Sequence, residues 1–306
     1  MLSSFWKSVG EGLSEKWLER LFGPAFLFWA GGLLLWVGPQ NLDEKWAEIS
    51  ALPAVRQGAL LIGALLILAA SSRLMEALHL PLLRLLEGYW PWPFRWLASW
   101  CAGWRRKRVL DKKRRWGVLI LKREEESLTW KEQRELARLE AWRYYTPRDV
   151  GDILPTRLGN ILKTAETRPR QRYGLDPVLL WPHLWLALPE NARRDLAAAR
   201  SRLDRTVEAW GWGLLFAGWS FAWPWAWVIA LLWMAVAYAL ALWAAYPFAD
   251  LLLATFDTHR WRLYRSLRWP LPESSAEERA AGAALTRYIQ RGMLDAPVKY
   301  ERGKED

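Results

Sequence analysis

The sequence predicts an all-α integral membrane protein. It has four transmembrane helices in two hairpins, a large and mostly helical cytoplasmic insertion between them, and a helical cytoplasmic C-terminal tail. Three observations predict this class. Two pairs of apolar runs flank a strongly basic middle. Twenty-five of the 306 residues are Trp, whose apolar ring and single N–H donor are both satisfied at the membrane–water boundary. The cations are also shared unequally among the segments that join the apolar runs, as the positive-inside rule describes.

Residues 1–20 place Trp6, Leu13, Trp17 and Leu18 among Lys7, Glu11, Glu15, Lys16, Glu19 and Arg20. That is the pattern of a short amphipathic helix lying in the interface. Its acidic charges and the lack of a small-residue cleavage site argue against a signal peptide. The first hairpin occupies 21–72. Residues 21–38 contain no ionisable group, and 55–72 contain only Arg56. Each run is near the lower limit for crossing about 30 Å of hydrocarbon. The second hairpin, 206–247, joins 209–221 to 223–246 at Pro224. Its turn carries Trp219, Trp223, Trp225 and Trp227 without a charge, as a tight turn at the far interface should.

Residues 73–205 hold 28 Lys or Arg against 16 Asp or Glu, and the part beyond 247 holds ten Lys or Arg. The loop 39–54 holds only Lys45, and the turn at Pro224 holds none. Both termini, the insertion 73–205 and the helices and tail of 248–306 are therefore expected on the cytoplasmic side of a bacterial inner membrane.

Within the insertion, Arg73, Glu76, Arg84, Glu87 and Arg95 come too often for a fifth span. Trp92, Trp96, Trp100 and Trp104 recur every four residues, which aligns them on one helical stripe. Arg105, Arg106, Lys107 and Arg108 follow at once. An aromatic stripe beside a basic cluster suits an anchor on a leaflet with anionic headgroups; packing of the stripe on the protein's own helices is the alternative. No nucleic-acid module accompanies the basic runs, so anionic lipid is the expected partner and nucleic acid is not. Thr129-x-x-Glu132 is a capping box. It opens a helix in which Leu136, Leu139 and Trp142 share a face, and Pro147 follows its end.

Residues 154–190 are the least ordinary part of the chain. Pro155 and Thr156 start a helix carrying Leu158, Ile161, Leu162 and Ala165 at helical spacing. Gly159 lies inside it, at some cost unless another backbone comes close. Arg157, Asn160 and Lys163 form a polar flank, and with Arg172 and Asp176 they are the candidate binding residues. Residues 168–172 (RPRQR) read as a basic turn. Asp176-Pro177 supplies an N-cap and a first-turn proline. Pro182 is expected to interrupt that helix after about one turn, and Pro189 to end the next piece. From Glu190, the steps Leu196, Ala199, Leu203, Val207 and Trp210 predict one continuous helix over 190–221. At 1.5 Å per residue it is about 48 Å long and leads from the module into the third span. A kink is expected at Tyr246-Pro247. Ser275-x-x-Glu278 and Gly292 frame a last helix over 276–291.

The phrases EGYWP (87–91), LPTRLGN (154–160), RYGLD (172–176) and WP (181–182) resemble those of a group of bacterial multi-span membrane proteins to which no activity is attached. The resemblance covers about residues 85–290. It implies a membrane protein and carries over no site.

Catalytic signatures are missing from the sequence. His79, His183 and His259 are far apart, and Cys101 is the single cysteine, which excludes an intramolecular disulfide and a Cys-rich metal site. There is no HExxH, Walker loop or GxGxxG, so neither metal nor cofactor is expected. Asp250, Asp257 and His259 stand at helical spacing and would serve the acid–base chemistry of a lipid-modifying enzyme; salt bridges to neighbouring Arg are the plainer reading. The middle of each span lacks an ionisable residue, which argues against an ion-coupled transporter. Small pairs at Ala59/Gly63, Gly213/Ala217 and Ala235/Ala239 permit close helix packing. With three Asn and five Gln, the chain has few thermolabile amides, which suits a thermophile. The expectation is an inner-membrane protein that self-associates into a homo-oligomer, with a cytoplasmic module coupled to the spans, in the form of a gated pore. The alternative is a non-conducting adaptor that recruits a cytoplasmic protein or anionic lipid.

Overall fold

The computed structural model describes residues 23–292. The expected interfacial helix over 1–20 and the tail beyond 292 lie outside the described residues. Within them every regular element is helical. The α-helices are α1 (Pro24–Val37), α2 (Leu42–Ser50), α3 (Ala54–Glu87), α4 (Arg95–Glu124), α5 (Trp130–Tyr144), α6 (Arg157–Tyr173), α7 (Pro177–Ala187), α8 (Glu190–Phe216), α9 (Ala226–Ser266) and α10 (Ser275–Arg291). The described residues divide into two compact units, 23–83 with 204–240 and 84–203 with 241–292. Helices α3, α8 and α9 each contribute residues to both.

In the first unit, Ala25, Met75 and Trp212 are buried together against Phe28, Leu68, Leu82 and Trp233. Phe216, Ala226 and Ala230 form a second cluster with Leu35 and Trp219. The rings of Phe28 and Trp212 lie 5.1 Å apart, and the Trp29 indole donates to Ser71 Oγ at 3.2 Å. The Trp-rich segment predicted as a turn forms a 3-10 turn, Ala217–Phe221, and leaves Phe221, Trp223, Trp225 and Trp227 exposed. The polar loop 39–54 contains α2, where Lys45 pairs with Glu48 at 2.7 Å.

Helices α3 and α9 are long and apolar enough to cross a membrane, and only 6% and 22% of their most apolar windows are buried within the chain. Side chains this apolar left facing outward suit a membrane-associated protein. The other two expected spans are shorter as helices. Helix α1 has 14 residues, about 21 Å at 1.5 Å per residue. The apolar end of α8 stops at Phe216, where the 3-10 turn begins.

In the second unit, α4 and α5 pair through Leu119, Leu136 and Leu139, with Trp116, Ile120 and Trp142 around them. Ion pairs flank this core: Arg115–Glu135 at 2.8 Å, Lys122–Glu132 at 2.7 Å and Arg123–Glu140 at 3.5 Å. The Thr129/Glu132 capping box is present in both directions. Helices α6, α7 and α10 form the module, packed through Gly282, where an added Cβ would stand 2.0 Å from the Tyr173 carbonyl oxygen.

Four local expectations are corrected. Residues 168–172 are helical. Pro169 is buried inside α6, which runs on until Gly174 closes it in the left-handed region at φ 72°, because burial of Tyr173 holds the last turn. Pro182 does not interrupt α7. Its ring is exposed while Leu180 and Leu184 on either side are fully buried, so packing keeps the turn despite the lost N–H. The helix expected over 190–221 ends at Phe216, where the 3-10 turn begins. The cap of α10 is Ser274, which accepts from the Glu277 N–H at 3.4 Å, one residue earlier than the Ser275 box; Gly292 ends the helix as expected.

Gly159 meets the condition set by its sequence position: an added Cβ would lie 2.0 Å from the Glu87 carbonyl oxygen. Gly159→Ala is expected to destabilise the fold by about 1–3 kcal/mol through overpacking. Gly103→Ala, where nothing lies within 4 Å, should stabilise it by about 0.5–1 kcal/mol through helix propensity. Thermal unfolding of both variants checks the contrast. A second expectation concerns acid. The Lys122 ammonium and the N–H and O–H of Thr129 hold the Glu132 carboxyl at about 2. Its folded pKa is depressed, so its stabilisation is present above the ordinary value of 4.5 and is lost as pH falls through 2. Glu132→Gln should flatten that part of an acid-unfolding curve.

Candidate functional site

The segment 154–160 is built around one buried amide. Asn160 Nδ2 donates to the Leu154 carbonyl at 2.8 Å and to the Thr156 carbonyl, while its Oδ1 accepts from the Leu154 N–H at 2.9 Å. The side chain thereby closes the entry to α6 as a backbone pair would. Thr156 does two jobs. Its Oγ1 accepts from the Gly159 N–H at 3.0 Å, capping α6, and donates to the Glu87 carbonyl at 2.8 Å. That carbonyl is among the last of α3, where helical partners run out. Gly88, at φ 103°, brings its backbone against Pro155.

The polar flank of α6 faces residues 241–266 of α9. The guanidinium of Arg157 donates through Nε and Nη2 to the Tyr246 hydroxyl, the former at 3.0 Å. The Tyr246 ring meets Tyr145 edge-on at 4.5 Å, and the Tyr145 hydroxyl donates to Asp250 Oδ2 at 2.8 Å. Further along, the Tyr173 hydroxyl donates to Asp257, and Arg172 pairs with the same carboxylate at 3.3 Å. Tyr246, Asp250 and Asp257 are four and seven residues apart, so they share one face of α9. Arg260 pairs with Glu278 of α10 and lies 4.3 Å over the Tyr173 ring. Burial, and then its bond to Asp257, pushes the Tyr173 hydroxyl up to about 12. Burial and then Asp250 push Tyr145 up in the same way. Both phenols therefore remain hydrogen-bond donors throughout the physiological range.

The five candidate binding residues all have partners inside this unit. Arg157 and Arg172 reach α9, and Asn160 serves its own backbone. Lys163 pairs with Glu166 at 3.6 Å. Asp176 accepts from the Val178 N–H at 3.0 Å as the cap of α7 and lies 3.8 Å from Arg170. The tyrosines that complete the latches were given no role by sequence reasoning. Their mark in the sequence is position: Tyr144 and Tyr145 stand at the end of α5, and Tyr246 precedes Pro247. Asp250 and Asp257 already accept hydrogen bonds from phenols, which ties them to the latches.

Trp92, Trp96, Trp100 and Trp104 are exposed, at 83%, 68%, 68% and 51%; the last three form a stripe on α4, and Trp92 precedes the helix. None is packed into the unit's core. Arg106, Lys107 and Arg108 are exposed and Arg105 is half-buried. Arg108 lies 3.5 Å over the Trp104 ring, and Arg106 donates to the Gly151 carbonyl at 3.3 Å. Among the described residues no group of His, Cys, Asp and Glu is placed to hold a metal ion.

No family model, curated protein or solved structure matches the chain.

Asn160→Ala would leave the Leu154 N–H and C=O without their side-chain partner. A loss of about 1–3 kcal/mol is expected, seen as a lower melting temperature. Asn160→Asp, which keeps the acceptor and removes the donor, should recover only part of it.

Proposed function

We propose that this chain is a multi-span protein of the bacterial inner membrane that self-associates and carries a cytoplasmic helical module coupled to its membrane helices. Helix α9 is the observation that carries the reading. It is a single 41-residue helix with a span-length apolar portion. Its polar continuation bears the Tyr246, Asp250 and Asp257 stripe to which α6 and the end of α5 are latched. A continuous helix carries a displacement along its length, so the state of the latches is felt in the apolar part. Four spans with both termini inside remain the proposed topology, supported by the distribution of Lys and Arg.

Self-association is supported by outward apolar side chains, Leu60, Ile62 and Leu66 on α3 and Leu231, Leu232 and Val236 on α9. Small residues beside them, Ala59/Gly63 and Ala235/Ala239, permit a second helix to approach; an added Cβ on Gly63 would meet nothing within 4 Å. In this reading the assembly forms a gated pore. The second reading is a non-conducting adaptor for a cytoplasmic protein or anionic lipid. The exposed Trp stripe of α4 beside Arg106, Lys107 and Arg108 favours it.

Reconstitution in native lipid tests both. Mass photometry is expected to find two or more copies per particle, and liposomes should show ion flux that changes in Arg157→Ala. Particles with one copy and no flux would sink the pore. An oligomer without flux leaves the adaptor. Coupling has its own readout: Tyr246→Phe with Asp257→Asn should raise amide hydrogen exchange in α6 by about tenfold, the effect of about 1.4 kcal/mol.

A further inference from the structure

Helices α4 and α5, the loop that follows α5 and the end of α6 border an open groove of about 720 Å³. Lys113, Arg143, Arg148 and Arg168 line it, beside Trp116 and Tyr144. Among the described residues, none of these four cations pairs with a carboxylate within 4.0 Å. Glu140 also borders the groove, but it is paired with Arg123 at 3.5 Å. Asp149 offsets part of the charge on Lys113.

The cations are held in place by neutral groups. The Arg143 guanidinium lies 3.5 Å over the Trp116 ring, and that of Arg168 lies 4.3 Å over Tyr144. Arg168 also donates to the Tyr144 carbonyl, and Lys113 Nζ donates to the Arg148 carbonyl at 2.6 Å. Stacking occupies a guanidinium's face and leaves its N–H edge for an acceptor. The buried indole N–H of Trp116 has no partner among the described residues, although such donors normally find one. Burial, and then the charge of Arg143, lowers the pKa of Lys113; burial, and then Arg148, lowers that of Arg143. Like charges are thus gathered in one partly buried place, each disfavouring its neighbours' charged form, and an anion there would offset that repulsion.

We propose that this groove binds a multiply charged, phosphate-bearing anion, with Arg143 and Arg168 presenting N–H edges to its oxygens and Lys113 and Arg148 supplying further charge. A guanidinium edge matches a pair of carboxylate or phosphate oxygens; a phosphate has oxygens enough for two edges, whereas a single carboxylate fills one and a chloride none in pairs. A phosphorylated lipid headgroup and a free phosphate offer the same chemistry. The site requires neither self-association nor a pore.

The test uses the full-length chain in nanodiscs. In the soluble arm the discs are neutral phosphatidylcholine, and sodium pyrophosphate is titrated calorimetrically. In the lipid arm, phosphatidic acid, whose terminal phosphomonoester can carry two charges, replaces part of the phosphatidylcholine and thermal unfolding is followed. Saturable binding or stabilisation is expected in at least one arm. Arg143→Gln with Arg168→Gln should weaken it at least tenfold. Arg114→Gln, which removes an 81% exposed cation outside the groove, should leave it unchanged. A response to pyrophosphate identifies a soluble anion, and a response confined to phosphatidic acid identifies a headgroup. Because Arg143 supports the Trp116 ring, Arg148→Gln is the second variant: its side chain is exposed and unstacked, and it should weaken binding about threefold with an unchanged melting temperature. No saturable response in either arm, or equal weakening by Arg114→Gln, overturns the proposal.

Discussion

The carbonyl of Glu87 is the point on which the second unit depends. A helix that ends inside a packed structure leaves carbonyls that must be satisfied. Here the Thr156 hydroxyl donates to that oxygen, and only glycine fits at 159 beneath it. The same threonine caps α6, so the end of one helix fixes the start of another 69 residues later. Asn160 then locks the intervening turn. Once α6 is set, its polar flank is aimed along α9, and Gly174 and Gly282 bring α10 against its end.

The phrases EGYWP, LPTRLGN, RYGLD and WP lie at the junctions of this geometry. EGYWP and LPTRLGN meet at the Glu87 junction. Tyr173 of RYGLD bonds Asp257, while the backbone of Gly174 and Asp176 is tied to Thr286 of α10. Trp181 of WP packs near Phe256 at 6.2 Å. These residues are fasteners. The Tyr145–Asp250 and Tyr173–Asp257 bonds are part-buried, where a hydrogen bond to an ionised group is worth about 1.5–3 kcal/mol; the Arg172–Asp257 pair is exposed, at 60% and 45%, and adds little.

The excess of positive charge serves two different arrangements on α4. Along its first half, Trp96, Trp100 and Trp104 stand exposed next to Arg106, Lys107 and Arg108, an arrangement open to a surface. Along its second half, cations from four segments are gathered beside aromatic rings in a groove. The net charge of +11 is silent on this division, since only the folded backbone brings Arg168 to Tyr144 and Arg143 to Trp116.

The sequence by itself determined the helical class, the apolar runs, the Thr129/Glu132 box, the Asp176-Pro177 start and the Gly292 stop. Each of these rests on residues within a turn or two of one another, where spacing and local hydrogen bonds suffice. The backbone approach at Gly159 was also legible, because glycine inside a helix carries a cost that needs a reason. Tertiary structure alone decided that Pro169, Pro182 and Pro247 lie within continuous helices: burial, of Pro169 itself and of the faces opposite Pro182 and Pro247, outweighs one lost N–H bond, and burial is a property of distant neighbours. It alone decided that Arg157, Arg172 and the carboxylates of α9 are internal partners. Tyr145 and Asp250 are 105 residues apart, and Arg157 and Tyr246 are 89 apart. Periodicity carries no information about which hydroxyl a guanidinium will meet across such a separation.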